Sequence, residues 1–499
     1  MKKSIKIIRN YIGKYLLRLL IYTKKFDTFP IFTKFFPKSK YKAIQSLMHR
    51  GYLNLAYEIA KNYTPKEHEK LLIEKVLSMH KIKQNGFNIN KTTFNAINNL
   101  KVLFVTHNSL PYDKAGYAIR THSIVTKLIK DIDLKVVTRP GYPWDLIKHR
   151  NKSYKKQDVI EGIIYERLED KYKTFKKGSD LNYIYTYAKE LEKQIEKYNY
   201  TILHANSNYL NGIASIIAAN NKKIPIIYEM RGLWYITRTT LDEKFKIEGM
   251  YEYEHQMEKA CALYADKVVV LSNALKNLLI SWGINKEKIS VIPNSVNLNK
   301  FKPLEKNQKL LEKYNLKNKF IVGFIGSITK YEGLKELIES IKELYQEGFK
   351  DIVLMIIGDG KEKANLEKII NSKNIIFTGR VPFEEVNKYY SIFDVCPFVR
   401  NDYEVCRYIP PLKPLEAMAM QKAVIVSNLS PLLEIVDDKE TGLVCQVDNI
   451  KDIKEKILFL YNNQKEIERL GKNAKNWVEK NRNWDIISNK YIELYNEFK

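Results

Sequence analysis

The chain is poor in cysteine and in acidic residues, and it lacks any long uninterrupted apolar run. Its 499 residues include only four cysteines, which are scattered and show no CxxC spacing. A disulfide framework and a cysteine-based zinc site are therefore excluded, and we expect reduced core thiols in a cytosolic protein. The apolar stretch YLLRLLIY (15–22) is interrupted by Arg18, so it predicts neither a signal peptide nor a transmembrane helix.

Several catalytic signatures are also missing. The sequence contains no HExxH motif and no P-loop, which argues against a zinc protease and a P-loop nucleotidase. The segment GDGKEKANL (358–366) lacks the last glycine of a dinucleotide fingerprint, which disfavours an oxidoreductase. We expect no metal site and no bound cofactor.

Positive charge is abundant and unevenly distributed. There are 84 Lys and Arg against 57 Asp and Glu, a net charge of +27, and residues 1–50 hold 13 basic residues with Asp27 as the only acid. Such an excess favours a polyanionic partner, either nucleic acid, anionic lipid or a phosphate-bearing substrate. No nucleic-acid-reading motif accompanies the charge, so we expect no nucleic-acid partner.

The N-terminal segment has the pattern of a basic amphipathic helix. Its apolar residues follow steps of three and four, at Ile5, Ile8, Ile12, Leu16 and Leu19. Two interpretations remain open. Residues 1–40 bind an anionic membrane reversibly from the cytosolic side, or the apolar face packs on residues 40–98 and leaves a solvated basic arm.

The pattern of apolar and polar residues in the rest of the chain predicts a helical extension followed by two α/β domains. Residues 40–85 have helix-pair spacing with Gly51 at a turn, and 86–99 are polar and turn-rich. Strand-like runs then alternate with helical ones, first at 101–108, 134–139, 201–205, 224–230 and 267–272, and again at 320–328, 352–360, 374–381, 394–399 and 423–428.

This alternation indicates parallel sheets with helices on both faces. We predict an N-terminal extension (1–98), two doubly wound Rossmann-like domains (99–302 and 303–482), and a C-terminal helix (483–499) that returns to the first domain. Ligands of such sheets bind outside the carboxyl ends of the strands, which predicts a central cleft between the domains.

The segment YEVCRYIPPLKPLEAMAMQKAVIVSN (403–428) is the most informative for chemistry. PLEAMAMQK predicts a helix with Pro414 and Glu416 in its first turn and Lys413 beside them. Free amides at a helix start and the lysine charge attract phosphate, while the carboxylate suits ribose hydroxyls. The alternative is an acid placed only to complement the helix dipole.

These residues resemble a known family. PLKPLEAMAMQKAVIVSN and SPLLEIVDDKETGLV (430–444) are similar to the donor-binding signature of the retaining family-four glycosyltransferases, which have the GT-B fold. Further similarities are VIPNSVNLNKF (291–301), IIGDG (356–360), IIFTGRVPFEEVNKYYSIFDVCPF (375–398) and, on the acceptor side, PYDKAGYAIRTHS (111–123), ILHANSNYLNG (202–212) and IPIIYEMRGLW (224–234). The resemblance covers about residues 99–499.

The resemblance implies roles for individual residues on the donor side. Glu416 would hold the nucleotide ribose, the backbone from Leu412 through Lys413 to Leu415 would approach the diphosphate, and Arg380 and Val381 would flank the base. Glycine would be needed close to the nucleotide at Gly358 and Gly360 and in the first-domain loop at Gly116. The remaining implied residues are Tyr117, Arg120, Glu229 and Arg231 on the acceptor or sugar side, with Glu404, Arg407, His204 and Asn206 as catalytic residues. For Arg120, Glu229 and Arg231, a structural ion pair is the alternative.

The chain also departs from the family pattern. Tyr408 stands where many relatives have a second glutamate, so Glu404 or Arg407 could face the sugar. The usual Arg and Lys after the first strand of the second domain are Ser327 and Glu332 here, with Lys330 as the nearby substitute. Asn206 stands where the family commonly has the second histidine of an HxH motif, and Pro410 and Pro411 have no N–H groups to donate to phosphate. These departures likewise indicate a divergent branch.

The resulting prediction is a retaining, metal-independent, hexosyltransferase-like enzyme. It would use a nucleotide-sugar, UDP-linked in our interpretation, and a cell-envelope glycan or lipid-linked acceptor of capsule, lipopolysaccharide or exopolysaccharide type. Its location would be cytoplasmic or peripheral on the inner face of the membrane. The alternative function is a non-catalytic GT-B scaffold of a glycan-assembly complex, motivated by the cations missing at Ser327 and Glu332. The sequence does not name the sugar, the acceptor or the linkage.

Overall fold

The computed structural model describes residues 12–13, 15–23, 25–94, 96–150, 152–169, 180–369 and 372–499. It divides into two compact units, Met1–Lys114 with Asp131–Val268 and Phe498–Lys499, and Ala115–Lys130 with Val269–Glu497. The predicted α/β class and the helical N-terminal region are confirmed. Among the described helices, none is long and apolar enough to cross a membrane.

The described residues of the N-terminal region form helices and short turns up to Asn85. Residues 12–13 and 15–22 are helical, and four helices follow. They are α1 (Phe29–Phe35), α2 (Lys40–His49), α3 (Leu53–Ala60) and α4 (Lys70–Asn85). The predicted turn at Gly51 is present with φ +86°, a conformation that favours glycine.

The first sheet has eight strands in the order β3-β4-β2-β1-β5-β6-β7-β8. Its strands are β1 (Lys101–Thr106), β2 (Asp133–Thr138), β3 (Gln157–Ile160), β4 (Ile163–Arg167), β5 (Ile202–Asn206), β6 (Ile226–Met230), β7 (Lys267–Val270) and β8 (Ile289–Val291). Strand β1 pairs in parallel with β2 and β5, and β5 with β6. Its helices are α5 (Gly116–Leu128), α6 (Asp180–Tyr198), α7 (Tyr209–Lys222), α8 (Trp234–Thr239), α9 (Met250–Tyr264) and α10 (Asn273–Ser281).

The hairpin of β3 and β4 was not predicted. The two strands are antiparallel and are joined through Glu161 and Gly162, both of which have positive φ. Such a two-residue turn matches the twist of a hairpin. Because Glu161 is an unusual residue for this conformation, the sequence carries only a weak signal for the turn.

The second sheet has six strands in the order β11-β10-β9-β12-β13-β14, and every described pairing in it is parallel. Its strands are β9 (Phe320–Ile325), β10 (Ile352–Ile357), β11 (Ile375–Gly379), β12 (Val395–Phe398), β13 (Ala423–Ser427) and β14 (Leu443–Cys445). The helices of this part are α11 (Gln308–Lys313), α12 (Leu334–Gln346), α13 (Lys363–Ile369), α14 (Val386–Ile392), α15 (Lys413–Ala419), α16 (Ser430–Leu433), α17 (Ile450–Asn462), α18 (Gln464–Asn481) and α19 (Trp484–Asn496).

In the second sheet the central strands β9 (FIVGFI) and β10 (IVLMII) are continuous apolar runs, as is typical of parallel strands that are buried on both faces. Strands β9 and β10 are buried along their whole length. All four cysteines are buried and unpaired, as expected for core thiols.

Candidate functional site

Two glycine loops shape the carboxyl edge of the second sheet. Gly358 directly follows β10 with φ +142°, and a Cβ built on it would lie 1.8 Å from the carbonyl oxygen of Gly326. A Cβ on Gly360 would lie 2.1 Å from the carbonyl oxygen of Ile328. The backbones after β9 and β10 therefore pass so close together that only glycine fits at either position.

Helix α15 begins at the same edge and carries Glu416 in its first turn. The Tyr390 hydroxyl donates a hydrogen bond of 3.2 Å to Glu416 Oε2. Burial raises the pKa of the Glu416 carboxyl to about 7, although the Tyr390 hydrogen bond and the nearby Lys300 and Lys413 charges oppose this shift. The charge of this carboxyl therefore changes around neutral pH.

Lys413 is the first residue of α15 and takes part in a buried charge cluster, Glu332–Lys413–Arg400. Its ammonium lies 2.8 Å from Glu332 Oε2, and the Arg400 guanidinium lies 3.6 Å from Glu332 Oε1. Burial opposes the ionisation of Glu332, but the two facing cations outweigh it and hold the pKa of that carboxyl below its usual range. Glu332 is thus an ionised anchor for two cations.

The Lys413 side chain also lies close to the C-terminal end of β9. A Cβ on Gly326 would come within 2.3 Å of Lys413 Cε, and the ammonium lies 4.6 Å from the centre of the Phe324 ring. The helix itself has only seven residues. Because so short a helix has a weak dipole, the lysine charge is the stronger attractor of phosphate at this edge.

The Glu332–Lys413–Arg400 cluster changes the meaning of one sequence observation and adds one residue to the site. In the sequence, Glu332 stands where the family usually has a phosphate-binding cation. In the structure, its carboxylate binds Lys413. Arg400 was not predicted as a site residue. Its position directly after a buried strand was the available signal, and its guanidinium also donates a 2.9 Å hydrogen bond to the Ile409 carbonyl.

The other predicted donor-side residues lie in nearby segments of the same sheet edge. Arg380 is exposed, with its Nε 3.3 Å from Asp359 Oδ2 in the glycine loop, and Val381 follows it. The Lys330 ammonium lies 5.7 Å from the centre of the Tyr403 ring. Leu412 is the N-cap residue of α15, and Leu415 is fully buried inside it.

Glu404 and Arg407 begin and end one 3-10 turn. Arg407 is exposed and binds Asp402 through two hydrogen bonds of 2.6 and 2.7 Å. This bidentate pair keeps the pKa of Asp402 below its usual range through the Arg407 hydrogen bonds. For Arg407 to contact the sugar, it would therefore have to break its hydrogen bonds with Asp402 or keep only one of them.

Helix α5 carries Gly116, Tyr117 and Arg120. Gly116 is its first residue, and a Cβ there would lie 3.3 Å from Leu412 Cδ1, so the start of α5 lies beside the residue that precedes α15. Tyr117 follows in the first turn and its carbonyl accepts a hydrogen bond from the Thr121 hydroxyl.

Arg120 is buried and donates hydrogen bonds to several groups. They are the Pro293 and Ile292 carbonyls, both at 2.9 Å, Asn294 Oδ1 at 3.1 Å, and the Tyr491 hydroxyl at 2.8 Å. These contacts give Arg120 a structural role through hydrogen bonds to neutral groups, different from the ion pair named as the alternative, and its contact with an acceptor stays a prediction.

The ends of β5 and β6 bring together a second charged cluster, His204–Glu229–Arg231. Glu229 Oε2 lies 3.2 Å from His204 Nε2 and 2.9 Å from Arg231 Nη2. His204 and Glu229 are completely buried, and Arg231 is 8% exposed. The burial of His204 favours positioning of Glu229 over direct contact with a substrate, and Arg231 is the least buried of the three. Asn206, also buried, is paired in register with Glu229.

Within the residues that the structure describes, no group of three or more His, Cys, Asp or Glu side chains is arranged to hold a metal ion.

Comparison with known proteins identifies relatives over most of the chain. A model described as Glycosyltransferase Family 4 matches residues 116–300, and one described as Glycosyl transferases group 1 matches residues 306–477. The capsular polysaccharide biosynthesis glycosyltransferase CapM of Staphylococcus aureus is 30% identical over 302 residues, which span 58% of this chain and 74% of CapM.

Two further similarities concern a lipid-linked substrate and a nucleotide. The N,N'-diacetylbacillosaminyl-diphospho-undecaprenol alpha-1,3-N-acetylgalactosaminyltransferase of Campylobacter jejuni is 27% identical over 319 residues, covering 61% of this chain and 79% of that protein. The structure of HepE from Anabaena in complex with UDP has a TM-score of 0.63 at 13% identity, covering 80% of this chain and 100% of HepE. At this identity the likeness shows the fold, which is GT-B.

Proposed function

Since this chain belongs to the family-four glycosyltransferases, we propose that it transfers a sugar, with retention of anomeric configuration, from a nucleotide-sugar to a cell-envelope glycan or lipid-linked acceptor. The observation that carries this proposal is the placement of Glu416 and Lys413 in one helical turn beside the Gly358 loop. A carboxylate, a half-buried cation and close-approaching backbone are groups that suit a nucleoside diphosphate.

Each group has a role in the proposed donor complex. Glu416 accepts hydrogen bonds from the ribose hydroxyls, and Lys413 with Lys330 neutralises the diphosphate. Arg380 and Val381 flank the base, while Gly358 and Gly360 let the backbone approach. HepE binds UDP and shares the fold, which supports a uridine nucleotide as the donor.

The proposed chemistry needs no protein nucleophile. The acceptor hydroxyl attacks the anomeric carbon from the face that the diphosphate leaves, the bond between that carbon and the phosphate oxygen breaks, and the acceptor proton passes to the departing phosphate. Charge then accumulates on the diphosphate, where Lys413 stabilises it in a site of low dielectric. No metal takes part in this scheme.

The acceptor class rests on the relatives. CapM is a capsular polysaccharide enzyme and the Campylobacter protein acts on a diphospho-undecaprenol-linked sugar. We therefore place the reaction at the inner face of a membrane, with Arg231 and Tyr117 on the acceptor side and Glu404 or Arg407 near the transferred sugar.

Calorimetry and product analysis test the proposal directly. We expect micromolar binding of UDP, weaker binding of GDP, and slow hydrolysis of one UDP-sugar in a mass-detected donor screen. Absence of binding to both nucleotides, together with no hydrolysis of any nucleotide-sugar, would contradict the enzyme and favour the scaffold alternative.

The raised pKa of Glu416 predicts a pH dependence of UDP binding. The ionised carboxyl accepts hydrogen bonds from two ribose hydroxyls more strongly than the protonated form does, and burial brings its pKa to about 7. Lowering the pH from about 8 to about 6 protonates it and is expected to weaken UDP binding about tenfold.

The Glu416→Gln variant is the control for this pH step, because any pH effect that remains in it belongs to the phosphate of UDP. Glu466→Gln, in the first turn of α18 and paired with Arg469, should bind like the wild type. Equal pH slopes in the wild type and Glu416→Gln would show that Glu416 is not the titrating group.

A further inference from the structure

An apolar stripe is exposed on the N-terminal helical segment (residues 12–13 and 15–22). It consists of Ile12, Tyr15, Leu19 and Tyr22, which are 46%, 66%, 46% and 86% exposed. Their spacing of three, four and three residues places them on one face of the helix. Single exposed apolar residues are ordinary, but a continuous stripe of four marks an interaction surface.

The opposite side of the segment is the one that packs on the protein. Leu17 is 4% exposed, and a Cβ on Gly13 would lie 2.7 Å from the Phe36 ring. Leu17 and Ile21 line a groove with Gln45 and His49 of α2. The helix is therefore docked through one face while the stripe remains uncovered.

This arrangement corrects the expected amphipathic face. Of the five residues predicted to lie on it, Ile5 and Ile8 are outside the described residues, Leu16 is half-buried, and Ile12 and Leu19 are in the stripe. The helix packs on residues 36–50 and leaves an apolar face exposed, whereas membrane binding stays a prediction.

The surroundings of the stripe are strongly basic. Arg18 precedes Leu19 directly, and Lys25, Lys34, Lys38 and Lys42 are exposed on the following turns and helices. Asp27 is the only acid among residues 1–50. Ile31 of α1 adds another apolar side chain that is 62% exposed.

We propose that the stripe of Ile12, Tyr15, Leu19 and Tyr22 inserts into the interface of an anionic membrane while the surrounding lysines and arginines bind lipid headgroups. The positive charge around the stripe indicates which partner binds there. A second copy of this chain would bring two basic surfaces together, whereas an anionic lipid surface complements the charge and takes up the apolar side chains.

This inference extends the proposed function, since a lipid-linked acceptor lies in a membrane. Its test involves no sugar transfer, so an inactive enzyme that binds vesicles and an active enzyme that does not are distinguishable outcomes.

Flotation of the full chain with vesicles tests the proposal. We expect the protein to float with phosphatidylcholine vesicles that contain about one third phosphatidylglycerol at low salt, and to dissociate at about 1 M salt because headgroup contacts are screened. It should not float with pure phosphatidylcholine. Failure to float with the anionic vesicles, or equal flotation with neutral ones, would overturn the proposal.

Two variants separate the stripe from the charge. Tyr15→Ser, Leu19→Ser and Tyr22→Ser combined should lower vesicle partitioning at least about tenfold, because exposed apolar area is lost without disturbing the packed face. The matched control combines Ile147→Ser, Tyr185→Ser and Ile247→Ser, which are 86%, 49% and 73% exposed elsewhere. It should float like the wild type.

Charge reversal gives the second measurement. Arg18→Glu with Lys34→Glu should abolish flotation with anionic vesicles, and Lys286→Glu with Lys317→Glu, at exposed sites elsewhere, should not. If the stripe variant floats normally but changes the oligomeric state in size-exclusion chromatography, the stripe joins copies of the chain and the membrane proposal is wrong.

Discussion

The Gly358→Ala variant is expected to lose UDP binding and about 3 kcal/mol of unfolding free energy. The added Cβ would lie 1.8 Å from the Gly326 carbonyl oxygen, and φ at this residue is +142°. Since the obstacle is backbone and not a flexible side chain, the loops after β9 and β10 must move apart. Those loops form the edge where the nucleotide is proposed to bind.

Gly348→Ala is the matched control for this prediction. Gly348 also has a positive φ, +108°, but a Cβ there would have no neighbour within 4 Å. It should therefore cost only the conformational strain of an alanine at positive φ, about 1 kcal/mol, and leave UDP binding unchanged. Urea unfolding and calorimetry measure both effects, and equal losses in the two variants would contradict the close-approach argument.

Lys413→Met is expected to lower the kcat/KM of sugar transfer about 100-fold or more. Methionine keeps most of the side-chain volume but removes the cation that faces the proposed diphosphate, and loss of one preorganised stabilising group has an effect of this size. The variant should also be less stable by about 3 kcal/mol, because Glu332 is then left buried with only Arg400 at 3.6 Å.

The triple variant Lys413→Met with Glu332→Gln and Arg400→Gln separates the two effects. It removes all three charges of the cluster, so neither a carboxylate nor a guanidinium is left buried without its partner, and stability should return toward that of the wild type. Transfer should stay low because the cation is still missing. Recovery of transfer together with stability would show that Lys413 has only a structural role, and unchanged transfer in Lys413→Met would show the same.

The N-terminal helix shows what a periodic sequence pattern predicts and what it does not. The three- and four-residue steps predict a helix, which is confirmed at residues 12–13 and 15–22, and Ile12 and Leu19 are on its exposed face. The same steps do not say which side docks on the protein, because that depends on Phe36 and α2. Tyr15 and Tyr22 belong to the stripe because the opposite side of the helix is the one that packs on Phe36 and α2.

The glycosyltransferase family and the order of the donor-side motifs were accessible from the sequence by itself. Strand and helix periods are local properties, so the alternation from Lys101 onward was sufficient to predict two doubly wound domains. Gly358, Gly360, Lys413 and Glu416 lie in short motifs that do not depend on distant contacts.

Only the tertiary structure decided what those residues contact. Glu332 meets Lys413 and Arg400 because β9 and β12 end and α15 begins at one edge of the second sheet, and no local pattern encodes that meeting. Likewise Arg120 is held by Ile292, Pro293 and Tyr491, which are distant in the chain. A period reports which face of an element is buried, whereas the partner across the interface is set by how the elements pack.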